Sequence, residues 1–340
     1  MLQTKPLLSL FLGCLIGLVG PISAMAGEEK ADASTTTRTA TLAEVREKYD
    51  ADPSHFADIG GINVHYLDEG QGPVLLLVHG TLGDLHDWDT WAEMLKSDFR
   101  VIRLDLPGFG LTSEVPNGNF SVERSHTMID AFMDHLGIEK FGVVGISYGG
   151  MVMFRYAATR VERITAMVLI NSAGIQTGKG PRPEKKSPGE ATKPVKNMFV
   201  DPVVTFDDVA FFYKNYINDE SKRTPEFIQR KLDFLNIQGR DELAKTTLRF
   251  YEKGDPIATL AHVRAPSLIM WGTANKALDT ETAQKFMDAL TNACTKKLVT
   301  FDKGGHYINV ERPEATAKVA KEFLMGLKDN FAGRCANSCQ

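Results

Sequence analysis

Five short apolar runs set what this chain can fold into. PVLLLVHG (73–80), RVIRLDLPGFG (100–110), KFGVVGIS (140–147), ITAMVLINSA (164–173) and APSLIMWG (265–272) are largely continuous in hydrophobicity rather than alternating. A strand reads this way when both its faces are buried, as in a parallel sheet covered on two sides. Helical patterning falls between the runs. SVERSHTMIDAFMDHLGI (121–138) offers Ser121 as N-cap and Gly137 as stop, and RPEATAKVAKEFLMGLK puts Pro313 at a first helical position. Helices are also expected directly after Ser147 and from about residue 280. KKLVTF (296–301) adds a strand, and the stretch from His55 reads as a hairpin turning at Gly60-Gly61. The alternation predicts an α/β fold with a mostly parallel central sheet and helices on both faces.

The rhythm stops after residue 173. GIQTGKGPRPEKKSPGEATKPVKN carries four prolines and mostly basic charge, and residues 198–254 are helical in texture and rich in aromatics. Residues 174–255 therefore read as a helical cap inserted into a core made of 51–173 and 256–330. A chain of 340 residues, 43% hydrophobic, can bury one large core and a smaller cap. A net charge of −4, with no basic helix interleaved with aromatics, gives no sign of a nucleic-acid partner.

At the N-terminus Lys5 precedes the apolar run PLLSLFLGCLIGLVGPISA, and Ala24-Met25-Ala26 follows as a small-x-small cleavage signature. Residues 1–26 read as a secretory signal peptide, an uncleaved anchor being the alternative. The mature protein is then expected in the periplasm or secreted, without a membrane span. Residues 27–50 read as a polar linker with room for a short helix, and 331–340 as a cysteine-containing tail. Cys14 leaves with the signal. Cys294, Cys335 and Cys339 remain, and an oxidising compartment would pair two of them, with the pairing open. No histidine stands at ligand spacing beside them, so no metal is expected.

The chemistry centres on Gly145-Ile146-Ser147-Tyr148-Gly149, an instance of G-x-S-x-G. With glycine and serine each near ~7% of residues, roughly one chain in ten of this length holds the pattern by chance. Its setting makes it specific, because Ser147 ends an apolar strand and opens a helix. That is the setting of a nucleophile elbow. Together with LVHG (77–80), DLPGFG (105–110), APSLIMWG (265–272) and GGHYINVERPE (304–314), it makes residues 54–328 resemble the α/β-hydrolase fold family.

The resemblance implies that His306 is the catalytic base. Chemistry agrees, since a serine hydroxyl is a weak nucleophile until an imidazole takes its proton. It also implies an oxyanion hole made by the backbone N–H groups of Tyr148 and Thr81, with Leu82 as the alternative to Thr81. His79, Asp105 and Trp271 read as scaffold. The family's acid follows the W-G pair, or the strand ending at Ile170. Here those positions hold Asn275 and Asn171. Three readings stand: Asn275 orients His306 in a slow enzyme or one with reactive substrates; another carboxylate, Asp279 or less favourably Asp302, substitutes; or the fold binds without cleaving. The leading expectation is an exported serine hydrolase of a small, largely apolar carboxylic ester, with no cofactor. A carbon–carbon bond hydrolase of dienol diketones and a silent ligand-binding protein are the alternatives.

Overall fold

The computed structural model describes residues 38–50, 53–116, 118, 120–175, 198, 201, 203–240 and 254–327. Residues 1–26, read above as a signal peptide, together with Cys335, Cys339, most of the basic proline-containing stretch and residues 241–253, lie outside them. Eight strands form one sheet in the order β1-β2-β4-β3-β5-β6-β7-β8. These are β1 (His55–Ile59), β2 (Ile62–Glu69), β3 (Val74–Val78), β4 (Arg100–Leu104), β5 (Phe141–Ile146), β6 (Ile164–Ile170), β7 (Ser267–Gly272) and β8 (Lys296–Phe301). The β1–β2 and β2–β4 pairs are antiparallel. Every later pair is parallel, as the continuous apolar runs require.

The two faces are legible residue by residue. Leu76, Val78, Val143 and Leu169 enter one apolar cluster, while their neighbours Leu75, Leu77, Val144 and Val168 enter the other. Successive strand side chains point to opposite faces, so a strand that supplies two cores must be apolar throughout.

Helices α1 (Leu42–Tyr49), α2 (Asp89–Leu95), α3 (Val122–His135) and α4 (Ser147–Thr159) precede β6 or lie between strands. Ser121 caps α3 by accepting from the Arg124 amide, and Gly137 sits at φ 69° beyond its end. Between β6 and β7 come α5 (Phe206–Tyr216), α6 (Pro225–Leu235) and α7 (Pro256–Leu260). Helix α8 (Thr280–Ala289) precedes β8, and α9 (Ile308–Glu311) and α10 (Pro313–Met325) close the described chain, with Pro313 in the first turn.

Residues 38–50 contain the short helix that the sequence leaves room for, but they are packed against the body and do not form a free linker. Helix α1 has a complete capping box from Thr41 and Glu44, and Val45 is buried against Leu111, Phe234 and Ile237. Ala40 bridges Ile237, and both Lys48 and Tyr49 bond Asp233 on α6. A polar segment is here tied to the cap by side-chain and backbone bonds rather than left in solvent. Among the described residues no helix is long and apolar enough to cross a membrane.

Candidate active site

Strand β5 delivers Ser147 to the carboxyl edge of the sheet, where the chain turns at once into α4. Ser147 sits at φ 51°, a left-handed conformation that costs a non-glycine residue about 1–3 kcal/mol. The flanking glycines make the turn sterically possible. A Cβ on Gly149 would lie 2.3 Å from the His79 carbonyl oxygen, and one on Gly145 would lie 2.6 Å from that of Gly149. The motif therefore encodes a close approach of α4 to the chain leaving β3.

His306 enters from the loop after β8. Its amide and that of Tyr307 both donate to the Tyr216 carbonyl at the end of cap helix α5, at 2.8 and 3.1 Å. Asn171, at φ 40° just beyond β6, clasps the same loop. Its Nδ2 donates to the carbonyls of Gly305 (3.2 Å) and His306 (2.6 Å), while its Oδ1 accepts from the Gly272 amide at 3.0 Å. Two residues on, the Ala173 amide donates to the Ser147 carbonyl at 3.0 Å. One short turn thus holds the backbone of both Ser147 and His306 at the same rim. No hydrogen bond joins Ser147 Oγ to the His306 ring in this structure; such contacts often tighten only when substrate binds. Asn171 is a backbone clasp and does not face the imidazole nitrogen.

The residue facing His306 Nδ1 is Asn275, with Oδ1 at 3.2 Å. Its amide orientation follows from its neighbours. Oδ1 also accepts from the amides of Ala277 (3.0 Å) and Leu278 (3.2 Å), and two backbone donors can only point at oxygen. The ring must then donate from Nδ1, which leaves the Nε2 lone pair to accept a proton. The amide selects the tautomer a general base needs but supplies no charge. Burial pushes the His306 imidazole down to about 3. Asp279 does not substitute for an acid here: its carboxylate caps α8, accepting from the Thr282 amide (3.0 Å) and hydroxyl (2.9 Å). Asp302 meets the Thr273 hydroxyl at 3.4 Å on the exposed side.

The expected oxyanion loop runs from Gly80 to Leu82. A Cβ on Gly80 would lie 3.1 Å from Ser147 Cβ, so this backbone passes directly over the nucleophile position. Leu82 sits at φ 62°, a second strained residue. Among the described residues neither the Thr81 nor the Leu82 amide is taken by another backbone carbonyl. His79 is scaffold: its Nε2 accepts from the Leu106 amide (3.0 Å), and its Nδ1 donates to the Gly80 carbonyl (2.8 Å). Asp105 holds His65 and the Leu85 and Leu111 amides, and Trp271 Nε1 donates to the Leu278 carbonyl.

Three tyrosines touch this site, and two cations brace the chain beside it, without a sequence signal that singles them out. The Tyr307 hydroxyl donates to the Thr81 carbonyl, and the Tyr213 hydroxyl to the Leu82 carbonyl at 2.8 Å. The Tyr216 ring stands edge-on to His306 at 5.4 Å. Lys231, fully buried on α6, bonds Asp84 (2.7 Å) and Asp87 (2.5 Å), and Arg230 adds a contact to Asp84. Burial raises the Asp84 carboxyl, but Arg230 and Lys231 outweigh it and hold it well below the usual range.

The α/β hydrolase fold profile matches residues 73–260, more than half of the chain. The chain belongs to the α/β hydrolase fold family. It is 25% identical over 292 residues to a 2-hydroxy-6-oxononadienedioate/2-hydroxy-6-oxononatrienedioate hydrolase of Pseudomonas putida, covering 81% of this chain and 97% of that one. Among solved structures it resembles a meta-cleavage product hydrolase of Pseudomonas fluorescens IP01 (TM-score 0.68, 21% identity, 80% of this chain and 97% of that one). It likewise resembles a bacterial membrane phospholipase A (TM-score 0.69, 23% identity, 84% and 91%).

Proposed function

We propose that this hydrolase splits a carbonyl substrate through an acyl-enzyme on Ser147, with His306 as the base, and that the bond it breaks is the carbon–carbon bond of a dienol ketone. The dienol first shifts its enol proton to the carbon beside the scissile carbonyl, so that this carbon is saturated and can depart as a conjugated enolate. Ser147 Oγ then bonds the carbonyl carbon while His306 Nε2 takes its proton. The amides of Thr81 and Tyr148 receive the oxyanion. As the tetrahedral species collapses, the bond to the leaving fragment breaks, and that fragment regains a proton from the imidazolium. Water, deprotonated by the same ring, then releases the acid.

The observation that carries this reading is the amide behind His306. Asn275 leaves the imidazolium without a counter-charge, so the ring serves best where the departing group needs little proton transfer in the transition state. A vinylogous enolate, whose charge is spread along a conjugated chain, is such a group, and a simple alkoxide is not. The name of the Pseudomonas putida relative describes a substrate of that kind.

A second reading, an ester with a stabilised leaving group such as a phenolate, draws on the surroundings. The oxyanion loop and His306 are flanked by Tyr213, Tyr216 and Tyr307, and the cations of α6 that reach this loop are committed to Asp84 and Asp87. A neutral ester needs no counter-ion there. We further propose that the protein works outside the cytoplasm, on the strength of its leader. N-terminal sequencing of the exported protein should begin at Gly27.

Two substrates decide between the readings. Turnover of 2-hydroxy-6-oxo-6-phenylhexa-2,4-dienoate, followed by loss of its absorbance, supports carbon–carbon cleavage if it exceeds that of p-nitrophenyl butyrate; the reverse ranking supports the ester. Turnover of neither, with no fluorophosphonate label on Ser147, overturns both.

A further inference from the structure

The oxyanion loop is held by the cap. Peptide planarity makes each carbonyl and the following N–H point in opposite directions, so fixing one aims the other. The Tyr213 hydroxyl of α5 fixes the Leu82 carbonyl at 2.8 Å. That sets the Gly83 amide, which donates to the Gly80 carbonyl at 3.0 Å. The Gly80 carbonyl, also bonded by His79 Nδ1 at 2.8 Å, sets in turn the direction of the Thr81 amide. Tyr307 fixes the next carbonyl, that of Thr81, and so aims the Leu82 amide. Immediately downstream, Lys231 of α6 holds Asp84 and Asp87, the residues that start the next turn of chain. Leu82, at φ 62°, needs such restraint, because a leucine released from it would relax to a negative φ.

We propose that Tyr213 and Lys231 are positioning residues of the oxyanion hole, so that the cap sets the hole's geometry as well as roofing the site. The inference rests on the Ser147–His306 reading. The cap becomes a condition of full catalysis: any movement that withdraws α5 and α6 leaves the Gly80 carbonyl, and with it the Thr81 amide, held from the core side by His79 alone.

The test is Tyr213→Phe, which removes one oxygen and keeps the ring against Phe227 and Tyr307, with Lys231→Arg as the second variant. Tyr156→Phe is the control, since it removes a buried hydroxyl bond to Asp130 remote from the loop. Turnover of p-nitrophenyl butyrate and fluorophosphonate labelling of Ser147 are measured per folded molecule. Loss of one oxyanion donor costs about 10²–10³ in turnover, so misaiming it should lower kcat at least tenfold in both test variants. KM and the acid limb of the pH profile, which belongs to His306, should stay unchanged. Tyr156→Phe should lose stability without losing kcat. Equal kcat in Tyr213→Phe and Tyr156→Phe overturns the proposal. Undiminished labelling of the protein in Ser147→Ala overturns instead the reading beneath it.

Discussion

Replacing Asn275 by Asp restores a charge to the position behind His306, and the structure gives the size of the effect. The Nδ1–Oδ1 distance is 3.2 Å, which places the charge centres of an imidazolium and a carboxylate about 4 Å apart. At an effective dielectric constant near 20 this attraction is worth about 4 kcal/mol. At 1.36 kcal/mol per pH unit, that lifts the imidazole by about three units, from about 3 towards about 6. The same energy stabilises the imidazolium formed as Ser147 is deprotonated, so the ceiling on the rate gain is roughly 10³.

Both effects are read in one experiment: the second-order rate of fluorophosphonate labelling, and p-nitrophenyl butyrate turnover, from pH 4 to 9. The base must be unprotonated to act. The acid limb of Asn275→Asp should therefore move up to about pH 6, and its advantage should be full at pH 8 and shrink at pH 5. An unchanged limb together with a rate gain below threefold would refute the placement of residue 275 behind the catalytic ring.

Other measurements probe the same geometry. Between pH 6.5 and 3 the unfolded chain binds a proton at residue 306 that the folded chain refuses, so stability falls as pH falls through this window. Urea unfolding at pH 7 and pH 5 should show a loss of about 2 kcal/mol that His306→Gln abolishes. Asp279→Ala should cost about 1 kcal/mol as a lost helix cap and leave the labelling rate untouched; a large rate loss would make Asp279 the acid after all. Gly149→Ala drives a methyl group into the His79 carbonyl and should cost about 3 kcal/mol and abolish labelling, whereas a stable, reactive variant would contradict the close approach of α4.

Much of the framework is written locally. The parallel sheet follows from strands that are apolar on both faces, and the elbow from glycines at 145 and 149 whose side-chain space is filled by backbone. Ser121, Gly137 and Pro313 mark helix ends by chemistry that acts over three or four residues. What escaped the sequence depends on distant partners. Helix α1 lies in a polar stretch and docks through bonds to Asp233, about 185 residues away. Tyr213 is one of many aromatics in the cap, and only its contact with Leu82, 131 residues earlier, distinguishes it. Asn275 is visible as an amide where an acid is expected, but which end of it faces the ring is decided by the Ala277 and Leu278 amides, and that is a property of the folded turn.

The choice of an amide at 275 can be argued from a second imidazole in the same fold. His65 is held from Nδ1 by the Asp105 carboxylate at 2.7 Å. Burial raises the Asp105 carboxyl, but the bond from His65 outweighs it and holds it below its usual range. Both Asp105 oxygens are partnered: Oδ1 by the Leu85 amide, Oδ2 by His65 and the Leu111 amide. At position 275 only one end is served. Oδ1 collects three donors, while Nδ2 is buried with no hydrogen-bond partner. A second carboxylate oxygen in that place would be an unpaired acceptor carrying part of a charge, at a cost of about 1–3 kcal/mol or more to the fold. That cost falls on the folded ground state, whereas the gain from the charge appears only when His306 is protonated. Asn275→Asp should therefore lower the melting temperature while it raises the reactivity of Ser147. A variant that gained both would mean that the far side of residue 275 reaches a donor or solvent.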